Sequence, residues 1–210
     1  MQTNGMDVKG RRAQGAATRE ALVRAARSLF GEDGYAATST EEVVALAGVT
    51  KGALYHHFAD KEALFRTVFE QVELEVSDVA VQAFLMDDPW EALVQGCRLW
   101  VDAHLDPRVR RISLTDARSV LGPDVVRSIE NRFSTVALRG ALRKGMHTGE
   151  LEHQPLRPLS LMLAGALREA CWYVADADDV GAARAEVQAV LATLLAGMRV
   201  REPAAAPPLG

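Results

Sequence analysis

Apolar residues recur at three- and four-residue steps along most of this chain, the period of an amphipathic helix; no stretch alternates convincingly as a half-buried strand would. Leu64, Val68, Val72, Val76 and Val79 trace one such stripe. Asp88-Pro89 and Asp106-Pro107 each open a helix, because proline is favoured at the first helical position. Gly122-Pro123 interrupts the pattern, and a long helix is expected from Asp124 to Lys144. Residues 147–150 read as a turn. Pro155 and Pro158 introduce a helix to Ala175, and the acidic run 176–179 introduces a last one ending near Val200. The expectation is an all-α chain.

Residues 38–62 are the densest in local signals. Ser39 and Glu42 have the spacing of a capping box, in which the serine oxygen accepts the N–H three residues on and the glutamate reaches back to the Ser39 N–H. Val43, Val44 and Ala47 form a short apolar stripe, and Gly48 suits a left-handed helix stop. Thr50 is a good cap for a second short helix. There Leu54 and Phe58, four residues apart, share an inward face, while Lys51, Gly52, Tyr55 and His56 are left on the other faces. Asp60 caps a third helix. Two short helices joined by a glycine-bearing turn are the signature of a helix-turn-helix, whose second helix enters the DNA major groove. The adjacent His56 and His57 point to different sides of a helix and do not make a metal site.

The runs GYAATS (34–39), AGVTKGALYHHF (47–58) and DKEALF (60–65) resemble the DNA-binding domain of the tetracycline-repressor (TetR) family, and the helix Thr18 to Phe30 fits its first helix. Val44 stands where that family often has alanine. The resemblance implies that Thr50, Lys51, Tyr55 and His56 contact DNA, that Lys61 touches a phosphate, and that Gly52 permits close backbone approach. Thr38 and Ser39, at the start of the first short helix, are further candidate phosphate donors, since hydroxyls, amines and helix N-termini suit phosphate oxygens.

Charge agrees with this polarity. Of 24 basic and 28 acidic side chains, the first 70 residues hold nine of each, so the whole excess of four negatives lies in residues 71–210. A neutral head on an acidic body favours one end meeting DNA. The domain expectation is a flexible basic arm over 1–15, a helix-turn-helix domain over 16–62, a helical effector-binding and dimerisation domain over 63–200, and a disordered proline-rich tail over 201–210. With no signal peptide and no apolar run long enough to span a bilayer, a cytoplasmic protein without a membrane partner is expected. Cys97 and Cys171 read as buried free thiols, and no cofactor or metal is expected.

The body resembles the family only in layout. Leu163, Leu167, Val187, Val190, Leu191, Leu194 and Met198 form stripes that suit either a monomer core or a helix-pairing interface; the resemblance implies a homodimer through a four-helix bundle. It also implies a pocket for a small molecule. Cys97, Trp100, Val101 and His104 share one helical face, and Phe133, Met162, Arg168, Trp172 and Tyr173 are candidates to join it, suiting an apolar or aromatic ligand. Taken singly, each of these reads more readily as core. Asp116 and Arg118 are expected to pair as ions. The functional expectation is a homodimeric repressor released from a palindromic operator in double-stranded DNA by a small molecule. An activator or ligand-independent regulator of the same fold is the alternative. A helical enzyme is a third reading, for which the sequence supplies neither a nucleophile beside a base nor a metal cluster.

Overall fold

The computed structural model describes residues 4–84 and 86–200, with side chains over 13–83 and 86–200. The tail expected over 201–210 lies outside the described residues. In chain order the helices are α1 (Asn4–Glu32), α2 (Thr40–Ala47), α3 (Lys51–His57), α4 (Lys61–Phe84), α5 (Pro89–Ala103), α6 (Pro107–Arg110), a π-helical stretch (Arg111–Asp116), α7 (Ala117–Leu121), α8 (Pro123–Arg132), α9 (Ser134–His147), α10 (Leu156–Ala175) and α11 (Val180–Ala196). The fold is all-α, with one isolated antiparallel bridge, Leu151 to Arg199, among the described residues.

Two compact units divide the described residues: those up to residue 75 with 106–132, and those of 76–105 with 133–200. The expected boundary at residue 62 is not where the contacts divide. The first unit also takes the start of α4 and the whole segment 106–132. Its core is the buried set Leu22, Val23, Ala26, Phe30, Val43, Leu54, Leu64, Phe65, Val68 and Phe69, joined from the later segment by Ile112, Ala117, Val126 and Ile129. Phe30, Tyr35 and Phe65 meet edge-on or tilted, with ring centroids 5.2–5.7 Å apart, geometry that adds to their area burial.

The second unit packs α5, α9, α10 and α11 against one another. Leu93, Val94, Cys97, Leu142, Leu163, Leu167, Cys171, Val174, Leu191 and Leu195 are buried there. Both cysteines are buried and neither is in a disulfide, as the sequence indicates, and burial pushes the Cys97 thiol up to about 12.

Several sequence expectations change. From Asn4 onward the supposed arm is part of α1. Gly5, Gly10 and Gly15 each cost about 1 kcal/mol in a helix, yet adding a residue to an existing helix needs no new nucleus. The long helix expected over 124–144 breaks at Phe133 (φ −117°, ψ −94°), where the chain passes from one unit to the other. The last helix stops at Ala196 rather than near Val200, because the chain then turns to bond with 150–152. Val200 N–H donates to the Glu150 carbonyl (3.1 Å) and Glu152 N–H to the Met198 carbonyl (3.0 Å).

Candidate nucleic-acid interface

Each cap read from the sequence forms. Glu42 N–H donates to Ser39 Oγ (3.2 Å), and Ser39 N–H donates to Glu42 Oε2 (2.7 Å), closing the capping box of α2. Gly48 ends α2 at φ 67°, ψ 32°, the left-handed conformation that a Cβ would oppose. Ala53 N–H donates to Thr50 Oγ1 (3.2 Å), and Ala63 N–H to Asp60 Oδ1 (2.7 Å). Leu54 and Phe58 are buried, which fixes the rotation of α3 and turns Lys51, Gly52, Tyr55 and His56 outward. Tyr55 is 48% exposed, a large aromatic with no burial to explain it.

The charged and hydroxyl groups are not all free. Lys51 Nζ is ion-paired to the Glu41 carboxylate of α2, and that bond holds the Glu41 carboxyl down to about 2. Lys61 Nζ donates to the carbonyls of Tyr35 and Thr38 (both 2.9 Å) and lies 4.1 Å from the Tyr35 ring centroid. It therefore ties the loop between α1 and α2 as well as standing near the surface. Thr38 departs from its expected role: it is buried and its hydroxyl donates to the Gly34 carbonyl (2.8 Å), so it builds the turn instead of meeting phosphate. The Ser39 hydroxyl bonds Glu42 Oε2 (2.7 Å). Sequence reading missed Glu41 and Tyr35, whose importance depends on which helix ends cross in space.

The candidates of the second unit separate into two groups. Cys97 and His104 are buried, and Trp100, Phe133, Arg168 and Trp172 are half-buried. His104 Nδ1–H donates to the Trp100 carbonyl (2.9 Å), and its ring lies 4.0 Å from that of Trp100. Burial lowers the His104 pKa to about 4, with the Arg168 charge adding to the fall and the Trp100 carbonyl opposing it. Its Nε2 is buried without a hydrogen-bond partner. Met162 (74% exposed) and Tyr173 (54%) do not join this group. Eleven residues apart, they share the outer face of α10, which the sequence could not distinguish from a pocket wall.

The pairing stripe also splits. Leu163, Leu167 and Leu191 are buried within the unit, Val187 and Met198 are half-buried, and Val190 (59%) and Leu194 (56%) stand exposed. Between α10 and α11 runs an apolar groove of about 500 Å³, lined by Ala166, Leu167, Ala170, Val187, Val190 and Leu194 among others. A 2.6 Å bond from the Tyr173 hydroxyl to Glu186 lies on its wall. Asp116 does not pair with Arg118; its carboxylate accepts the Tyr35 N–H. Among the described residues no group of three or more potential metal ligands is present, and no helix is long and apolar enough to cross a membrane.

A helical head that presents a capped, outward-facing second helix is the architecture of a helix-turn-helix DNA-binding regulator. Residues 22–68 match the family described as bacterial regulatory proteins, tetR family, and residues 90–198 match the tetracyclin repressor-like C-terminal domain. A TetR-family transcriptional regulator from Pectobacterium atrosepticum is 34% identical, with TM-score 0.75 over 91% of this chain and 99% of that one. The transposon Tn10 TetC protein of Escherichia coli is 27% identical over 148 residues, 70% of this chain and 75% of that protein. The transcriptional repressor BepR of Brucella suis is 36% identical over 78 residues, 37% of each chain. The chain belongs to the TetR family of DNA-binding transcriptional regulators, and it is not an enzyme.

Proposed function

We propose that this regulator is a homodimeric repressor that reads a two-fold symmetric operator and is released from it by a small apolar or aromatic molecule. The observation that carries the DNA-reading part is α3: Leu54 is fully buried beneath it, while Lys51, Tyr55 and His56 project outward from a helix capped by Thr50. One short helix reads few base pairs, so specificity calls for two, spaced about 34–36 Å apart on one face of the duplex. The exposed Val190 and Leu194 beside the groove between α10 and α11 support self-association through these helices. The buried His104 and its neighbour Trp100 support a ligand site inside the second unit, with Cys97, Phe133, Arg168 and Trp172 as further candidate walls. Repression is in keeping with the similarity to BepR.

Selection of random duplexes by the purified protein tests the reading. Enrichment of a palindrome by the wild type and its loss with Tyr55→Ala is the expected result. A folded, dimeric protein that enriches no sequence would overturn it. The enriched duplex then provides the assay for compounds that release it.

A further inference from the structure

The segment after α5 is far in sequence from the helix-turn-helix, yet residues 106–121 dock against the end of α1 within the same compact unit. At Gly31 a Cβ would lie 2.8 Å from Arg108 Cβ and 3.4 Å from its Cα, so α6 approaches α1 more closely than a side chain permits. Arg108 pairs with the Glu32 carboxylate (2.9 Å), and the Arg111 guanidinium donates to the Glu32 carbonyl, one of the acceptors left open at the end of α1. Asp116 Oδ2 then accepts the Tyr35 N–H at 2.8 Å. Asp116 closes the π-helical stretch, a rare geometry that concentrates at functional sites.

The Tyr35 peptide groups are held from two sides. Asp116 takes the N–H of Tyr35, and Lys61 donates to its carbonyl and to that of Thr38. Gly34, at φ 88°, accepts the Thr38 hydroxyl. Ser39 follows at once as the cap of α2. The loop that aims α2, and α3 beyond it, is thus held by Lys61 on one side and, on the other, by one carboxylate from outside the helix-turn-helix.

We propose that Asp116 is a positioning residue for DNA recognition: through the Tyr35 N–H it sets the placement of α2 and α3, so that the functional reading head includes residues 106–121. This rests on the assignment of α3 as the DNA-reading helix. It also places the segment where a change in 106–121 would be felt directly by the loop before α2.

The test compares Asp116→Ala and Asp116→Asn with the wild type in the full chain. Affinity is measured for the duplex enriched by the wild type and for a random duplex of equal length. Hydrogen exchange at the Tyr35 amide and thermal unfolding are followed on the free proteins. The asparagine carbonyl still accepts the N–H, whereas alanine cannot. Binding of the enriched duplex is expected to weaken about tenfold in the alanine variant, with the random duplex little changed, the asparagine variant near wild type, and Tyr35 exchange accelerated only by alanine. Equal binding by wild type and alanine variant, equal loss by both variants, or equal loss on both duplexes would overturn the proposal. Should the alanine variant not fold, the wild type decides: a protected Tyr35 amide supports the bond, and an unprotected one refutes it. If the wild type enriches no duplex, it is the DNA-reading assignment that fails.

Discussion

Lys51, the first residue of α3, is ion-paired to Glu41 of α2 across the helix-turn-helix. On the proposed role of Lys51 as a phosphate contact, a DNA phosphate displaces a carboxylate that the protein itself supplies. Two anions then compete for one ammonium, and Glu41 remains close to the phosphate that replaces it.

Replacing Glu41 with Gln should tighten binding to random DNA several-fold and lower the ratio of specific to non-specific affinity. The salt slope should stay unchanged, because Lys51 neutralises one phosphate whether or not it starts paired. The Lys51 bond holds the Glu41 carboxyl down to about 2. A depressed carboxylate keeps its pair above its ordinary pKa and loses it only as pH falls through the lowered value. The effect of Glu41→Gln should accordingly be the same at pH 6 and pH 8, as fluorescence anisotropy against salt at both pH values would reveal.

Lys51 and Lys61 should behave differently although both are candidate phosphate contacts. Lys61→Met removes two hydrogen bonds and the contact with the Tyr35 ring, and should lower the stability of the head by about 1–3 kcal/mol. Lys51 is exposed and its pair is on the surface, so Lys51→Met should leave the melting curve unchanged while flattening the salt dependence of binding. Parallel melts and salt titrations separate the two roles; indistinguishable melting of the two variants would reject the structural role of Lys61.

On α10 and α11, burial separates the residues of the proposed interface from those of the core. Leu194→Glu places a charge on an exposed residue beside the groove, and should give folded monomers by sedimentation. Leu163 is buried within its own unit, so Leu163→Ala should instead cost about 2–5 kcal/mol of stability. A Leu194→Glu protein that stays dimeric would move the interface elsewhere.

His104 predicts an acid-dependent loss of stability. Its ordinary pKa is 6.5 and burial lowers it to about 4 in the folded protein. The unfolded chain thus binds the proton first, so stability is full above pH 6.5 and declines as pH falls towards 4, by at most about 3 kcal/mol from this group. His104→Phe should flatten that part of the profile in denaturant titrations from pH 7 to pH 4. An unchanged slope would mean that His104 is not the group responsible.

The sequence by itself determined what is local. Ser39 with Glu42, Gly48, Thr50, and Leu54 with Phe58 act within one or two helical turns, so their spacing alone set the helix ends and the outward face of α3. The all-α class followed from the same short-range periodicity. Tertiary structure decided what depends on distant partners. Asp116 meets Tyr35 across 81 positions, and Lys51 meets Glu41 only because two helices cross. Thr38 has a hydroxyl equally suited to phosphate or to a neighbouring carbonyl, and only burial showed which it takes. Met162 reads like a pocket residue, yet the rotation of α10 leaves it exposed and turns Tyr173 to the groove beside α11, away from His104. An apolar side chain records that it avoids water, and the packed fold decides which surface covers it.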